Sequence, residues 1–262
     1  MAKAAYYDYN SAKRAGKIAT EILWELRELL EPGIKGDEIN FKAGELCAKK
    51  GVKSSFLGVK GAKSNFPGNL CLSINNMVLH GIPSAQQIIK EGDLVKLDFG
   101  IIDNGCYTDQ CVTVGVGKVA PQDEKLLEVG RKAVLNAALK AKMGEHVGTL
   151  GYTMQGISEL GGFSVVKEYV GHGIGNYLHL PPEVPAWGDP GKGAVLKEGM
   201  VICVEAQVLG SESDEVYTAK DGWSIFTVDG ANSVMFEYMV YVGKDEARIL
   251  TPTQDWPLIK SI

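Results

Sequence analysis

Four acidic residues sit inside runs that are otherwise apolar, and no other feature constrains this chain as tightly. Asp98 lies in "LVKLDFGII", Asp109 in "YTDQCVTV", Glu205 in "MVICVEAQV" and Glu237 in "VMFEYMVYV". Such runs form interior strands, yet a buried carboxylate is costly unless it is paired or bound to a cation. Four of them need a common cause. With His172, in "GHGIG", they read as one site, and two divalent cations would supply that cause. A site of this composition points to hydrolysis more than to structure.

The hairpin "DFGIIDNGCYTD" ties two of the acids together. If its turn centres between Asp103 and Asn104, Asp98 and Asp109 lie directly opposite. If it centres on Asn104-Gly105, Asp109 is one diagonal away on the same face. Either register brings like charges close, which calls for a cation, a shared proton or pairing with Lys96. A short repeat ties in a third acid. "KEGDLVKLD" ends on Asp98 and "KEGMVICVE" on Glu205, each acid eight positions after its Lys. This is what a duplicated half-domain with a metal site between the halves would show.

The chain has 262 residues, 45% hydrophobic and 23% charged, with net charge −5. These values suit a globular protein and give no basic surface for nucleic acid. No apolar run approaches the roughly 20 residues that span a membrane. The N-terminus lacks the apolar centre of a signal peptide. The five cysteines are an odd number with no CxxC pair, as expected for reduced thiols in a cytoplasm. Cys111 and Cys203 share a strand face with the acids but are expected not to be ligands.

Periodicity predicts helices over 11–30, 37–50 (N-capped by Asp37), 122–143 (stopped by Gly144) and 149–160. Residues 52–73 read as loop, 94–102 and 106–116 as strands, and 163–250 mostly as strands and turns. Helices then strands, twice, favours α+β. Carboxylate-rich ligation without thiolate suits Mn, Fe, Co or Zn. Of the four His, His172 and His179 share one short window, His80 has a glycine neighbour, and His146 is expected to have no site role.

With these pieces assembled, the chain resembles the type I methionine aminopeptidases from about residue 8 to about 250. The matching segments are "LCLSINNMVLHGIP", "GDLVKLDFG", "YTDQCVTVGVG", "VGHGIGNYLH", "LKEGMVICVEA" and "DGW…FEYMVYV". The resemblance implies the pita-bread fold, one domain with pseudo-symmetric halves near 1–120 and 121–262. It implies two divalent metal ions on Asp98, Asp109, His172, Glu205 and Glu237. Glu205 would also move a proton, His179 would steady the oxyanion and His80 would contact the substrate amide. Phe66, Cys71, His80, Leu178, His179 and Trp223 would bind the N-terminal Met of nascent polypeptides or peptides. The resemblance further implies a cytoplasmic monomer with transient ribosome contact and a small residue preferred after the Met. The sequence departs from the family at Tyr238, Met235, Ala206, Leu178 and Val59, and its 57–71 loop is longer. Two other readings compete: a dimetal aminopeptidase acting before proline, and a non-catalytic binding protein of the same fold.

Overall fold

The computed structural model describes residues 8–262; the first seven residues of the N-terminal reading lie outside them. Helices α1 (Tyr9–Glu28) and α2 (Gly36–Lys50) precede seven strands: β1 (Lys53–Ser54), β2 (Cys71–Ile74), β3 (Met77–Leu79), β4 (Leu94–Asp98), β5 (Ile101–Asp103), β6 (Cys106–Tyr107) and β7 (Cys111–Val116). Helices α3 (Pro121–Ala138) and α4 (Val147–Leu160) precede nine more: β8 (Ser164–Val165), β9 (Gly171–Gly173), β10 (Leu180–Val184), β11 (Val201–Leu209), β12 (Val216–Thr218), β13 (Ile225–Thr227), β14 (Ser233–Val242), β15 (Ala247–Ile249) and β16 (Ile259–Lys260). Helices then strands, twice, is the order the sequence predicts. No helix among the described residues is long and apolar enough to cross a membrane.

A ten-stranded sheet dominates, with main order β10-β9-β11-β14-β7-β4-β2. Its centre is buried on both faces, so the runs look uniformly apolar, but a two-residue alternation divides them. Val95, Leu97, Val112 and Val114 turn toward α1 and α2. Ile202, Val204, Ala206, Val208, Val234, Phe236, Tyr238 and Val240 turn toward α3 and α4. Burying each large apolar side chain contributes about 1.5–3 kcal/mol. The residues between them, Asp98, Cys111, Cys203, Glu205 and Glu237, share the opposite face. Tyr238 and Ala206, two of the departures from the family pattern, therefore lie in the helix-side core, away from the acids.

The two Lys-Glu-Gly copies build the same turn. Gly92 and Gly199 have φ of 90° and 87°, a conformation that favours glycine. Their N–H groups donate to Val116 at 2.7 Å and to Val242 at 2.9 Å, the last residues of β7 and β14.

Several boundaries differ from expectation: α1 runs Tyr9–Glu28 rather than 11–30, α4 begins at Val147 rather than 149, and the strands expected over 94–102 and 106–116 are each broken, into β4 and β5 and into β6 and β7. α2 has Lys35 rather than Asp37 at its N-cap, and the Glu38 carboxylate accepts the Lys35 N–H at 2.8 Å. α3 ends at Ala138, well before Gly144, because the N–H groups of Met143 and Gly144 bond the carbonyls of Gly243 and Leu196. The 52–73 stretch also contains β1 and the start of β2.

Candidate metal centre

The turn between β5 and β6 is Asn104-Gly105, with φ of 48° and 81°. Both values are positive, as a two-residue hairpin turn of this hand requires. The second of the two registers therefore holds: Asp98 pairs with Cys111, and Asp109 lies one diagonal away. The hairpin does not run straight. Gly100 packs so closely on the Thr108 carbonyl that a Cβ would clash there. The Thr108 hydroxyl accepts the Ile101 N–H at 2.9 Å, in place of a ladder partner. The bend carries Asp109 back toward the sheet.

Register then lines up one row across five strands. Cys71 pairs with Asp98, Asp98 with Cys111, Cys111 with Glu237, and Glu237 with Glu205. Paired residues share a face, so three acids and two thiols of the row point into one space. Asp109 joins them from the bend and His172 from β9. The His172 Nδ1–H donates to the Gly173 carbonyl at 3.0 Å. That leaves Nε2 with its lone pair, 3.8 Å from Asp109 Oδ2. The rings of His172 and His179 meet edge to face at 4.5 Å.

Asp98, Asp109, Glu205 and Glu237 are 7%, 5%, 7% and 1% exposed. Burial, and secondarily the Glu205 charge, pushes Asp98 up to about 8. Burial and the neighbouring carboxylates push Asp109 and Glu237 well above the usual carboxylate range, and burial raises Glu205. Burial lowers the imidazoles, His172 to about 3 and His80 to about 4, and holds His179 below its ordinary value. All three rings are neutral at pH 7.

Lys96 does not neutralise the acids, although it shares their face. Its ammonium donates to the carbonyls of Asn75 at 2.8 Å and Ser233 at 2.6 Å. Asp98 Oδ1, Asp109 Oδ1 and Glu237 Oε1 are buried with no hydrogen-bond donor from the protein. Unpaired acceptors of this kind demand an explanation, and divalent cations fit the donor set. Three sets of donor atoms lie within 4.8 Å of one another: Asp98, Asp109 and Glu237; Asp109, His172 and His179; His172, Cys203 and Glu237. Glu205 belongs to none of these. One of its oxygens instead accepts Gln207 Nε2 at 3.1 Å. The sequence reading missed Gln207; its position two residues after Glu205, on the same face, was the available signal.

The acids open into a cavity of about 1230 Å³, which Phe66, Cys71, His80, Leu178, His179 and Trp223 also line. Phe66 and Trp223 meet edge to face at 5.1 Å, and His80 faces Trp223 at 6.2 Å and Tyr169 at 5.7 Å. The longer loop closes over this wall: Trp223 Nε1 donates to Ser64 Oγ at 3.3 Å, and Gly61 lies flat against the indole. Of the departures from the family pattern, Val59, Leu178 and Met235 line the cavity. Phe56 and Tyr169 are further lining residues that the sequence did not single out.

Comparison with known proteins agrees with this geometry. The model of metallopeptidase family M24 matches residues 10–244. A methionine aminopeptidase of Clostridium perfringens is 38% identical over 239 residues, 91% of this chain and 94% of that relative. The crystal structure of a Thermotoga maritima methionine aminopeptidase superposes with a TM-score of 0.90 at 32% identity, over 95% of this chain and 99% of that one. An Xaa-Pro dipeptidase of Bacillus anthracis shares the fold, with a TM-score of 0.77 at 20% identity, over 97% of this chain and 64% of that one. With four buried acids in the face that the fold encloses, the chain belongs to metallopeptidase family M24, among the methionine aminopeptidases.

Proposed function

We propose that the chain removes the N-terminal methionine from peptides and nascent polypeptides, favouring a small second residue. The buried carboxylate oxygens without a donor carry this reading: they are arranged for cations and border an apolar cavity of peptide size. Asp98, Asp109, His172, Glu205 and Glu237 hold two divalent ions, drawn from Mn, Fe, Co and Zn. Ions bound there supply an acidified water and polarise the scissile carbonyl.

The remaining chemistry belongs to the chain's own side chains. Glu205 would take up the proton that the attacking water gives up and pass it to the leaving amine nitrogen; burial, which raises its carboxyl, favours holding that proton in between. His179 is neutral, so it donates an N–H toward the developing oxyanion without adding a cation to the site. His80 directs its N–H at the substrate amide. The apolar wall of Phe66, Cys71, Leu178 and Trp223 takes the methionine side chain, since aromatic edges favour a thioether. The halves 1–120 and 121–262 are read as a duplication, which the matching Lys-Glu-Gly turns support. A cytoplasmic monomer with transient ribosome contact completes the proposal.

The test is a peptide panel. Chelated protein restored with Mn, Fe, Co or Zn should release Met from Met-Gly-Ser and Met-Ala peptides, and leave Leu-Ala and Ala-Pro intact. Cleavage of Ala-Pro alone would favour the proline-directed reading. No turnover with any of the four metals would favour a binding protein.

A further inference from the structure

Cys203 lies on the acid-bearing face of β11, two residues before Glu205, and is fully buried. Its sulfur, a nitrogen of His172 and an oxygen of Glu237 lie within 4.8 Å of one another. Glu237 is 1% exposed, and its Oε1 has no hydrogen-bond donor. Glu205, the acid nearest in sequence, accepts a hydrogen bond from Gln207. The Cys203 thiol itself hydrogen-bonds the Glu237 carboxylate, whereas the two thiols of the row, Cys71 and Cys111, have other engagements. Cys111 donates to the Met235 carbonyl at 3.6 Å, and Cys71 sits opposite Asp98 at the far end.

We propose that Cys203 is a metal ligand, and that His172, Cys203 and Glu237 together take the first equivalent of a soft or borderline divalent ion such as zinc, cobalt or cadmium. The donor chemistry supports this choice, because thiolate and imidazole select such ions over harder ones. So does charge: one thiolate and one carboxylate neutralise one dication. The thiol proton leaves to solvent as the metal–sulfur bond forms. A hard ion such as manganese gains nothing from sulfur and goes to the all-carboxylate group of Asp98, Asp109 and Glu237. Glu205 would join as the two-ion centre fills, and the proposal departs from the sequence expectation that Cys203 is a non-ligand. The inference rests on the reading of this face as a metal centre.

The experiment is a cobalt titration of the metal-free protein followed by optical absorption. At one equivalent, a near-ultraviolet thiolate-to-cobalt charge-transfer band should appear beside the visible d–d bands. Cys203→Ser should abolish it, while Cys111→Ser and Cys71→Ser should retain it. Cys203→Ser should also weaken cadmium binding by at least roughly 10–100-fold, the loss typical of removing even a group that only orients a metal ligand, and leave manganese binding unchanged. Visible d–d bands without the charge-transfer band, or a band that survives Cys203→Ser, would overturn the inference and leave the metal centre standing. No d–d absorption at all would overturn both.

Discussion

The β4–β7 and β11–β14 pairs start from the same Lys-Glu-Gly turn and reach the site by different routes. β11 and β14 form nine consecutive ladder pairs, and Glu205 faces Glu237 squarely within them. β4 and β7 form five, ending where Asp98 meets Cys111. Counted back from Val116 and Val242, Cys111 occupies the place that Glu237 holds in the other pair. The first pair therefore carries its second acid two residues further out, on a shorter side chain, and a bend at Gly100 and Thr108 returns it. A straight ladder places long acids, and a broken one places a short acid from outside its end.

The largest effect should come from the acid at the junction of the two pairs. Glu237→Gln should lower methionine release about 1000-fold, since metal-assisted polarisation contributes several kcal/mol at about 1.36 kcal/mol per tenfold. The same variant should melt higher than wild type when both are metal-free at neutral pH, because the fold opposes ionisation of Glu237 while the unfolded chain ionises it freely. Steady-state kinetics and thermal melts check the two halves of that statement.

Metal removal comes next and has a pH signature. In the metal-free protein, Asp98 titrates at about 8, against about 3.9 when unfolded. Between those values the folded state binds more protons, so stability falls as pH rises from about 4 to about 8. Bound cations remove that loss by holding the carboxylates ionised. The melting difference between metal-loaded and metal-free protein should widen across that window. At a hundredfold excess over Kd the gain is about 2.7 kcal/mol, or roughly 5–10 °C. A difference that stays constant with pH would break the account of the acid row.

Gly100 and Gln207 occupy matching positions, each two residues after its acid, and test the contrast directly. Gly100→Ala should cost about 1–3 kcal/mol, because its Cβ meets the Thr108 carbonyl and the Ser55 hydroxyl. Gln207→Leu should cost about 1 kcal/mol, since the straight ladder remains and only the bond to Glu205 is lost. Urea midpoints compare the two, and equal losses would mean that the bend is not special.

Much of this was legible in the residues. The acids stand out because charge is rare in strand interiors, and the Lys-Glu-Gly match marks a common turn. Hairpin logic narrowed Asp98 and Asp109 to two registers, both on one face. The choice between them required the backbone at Asn104 and Gly105, which residue types alone leave open. The break after Asp98 was hidden because a side chain, Thr108 Oγ1, stands in for a strand partner. Lys96 looked like a counter-ion, but its partners are carbonyls 21 and 137 residues away in sequence. The end of α3 was misplaced because Gly144 has the usual stop signature while distant carbonyls take up the chain before it. Tyr238 and Ala206 look like pocket changes beside their acids, yet strand alternation turns them into the helix-side core.

The most direct test is the count of divalent ions per chain, by plasma mass spectrometry after loading and desalting. Wild-type protein should retain two equivalents of cobalt or manganese, Asp98→Asn and Glu237→Gln should each retain fewer, and Lys96→Met should retain two. Wild-type protein that binds no divalent ion, or acid variants that bind as many as wild type, would contradict the assignment of the buried acid row as a metal centre.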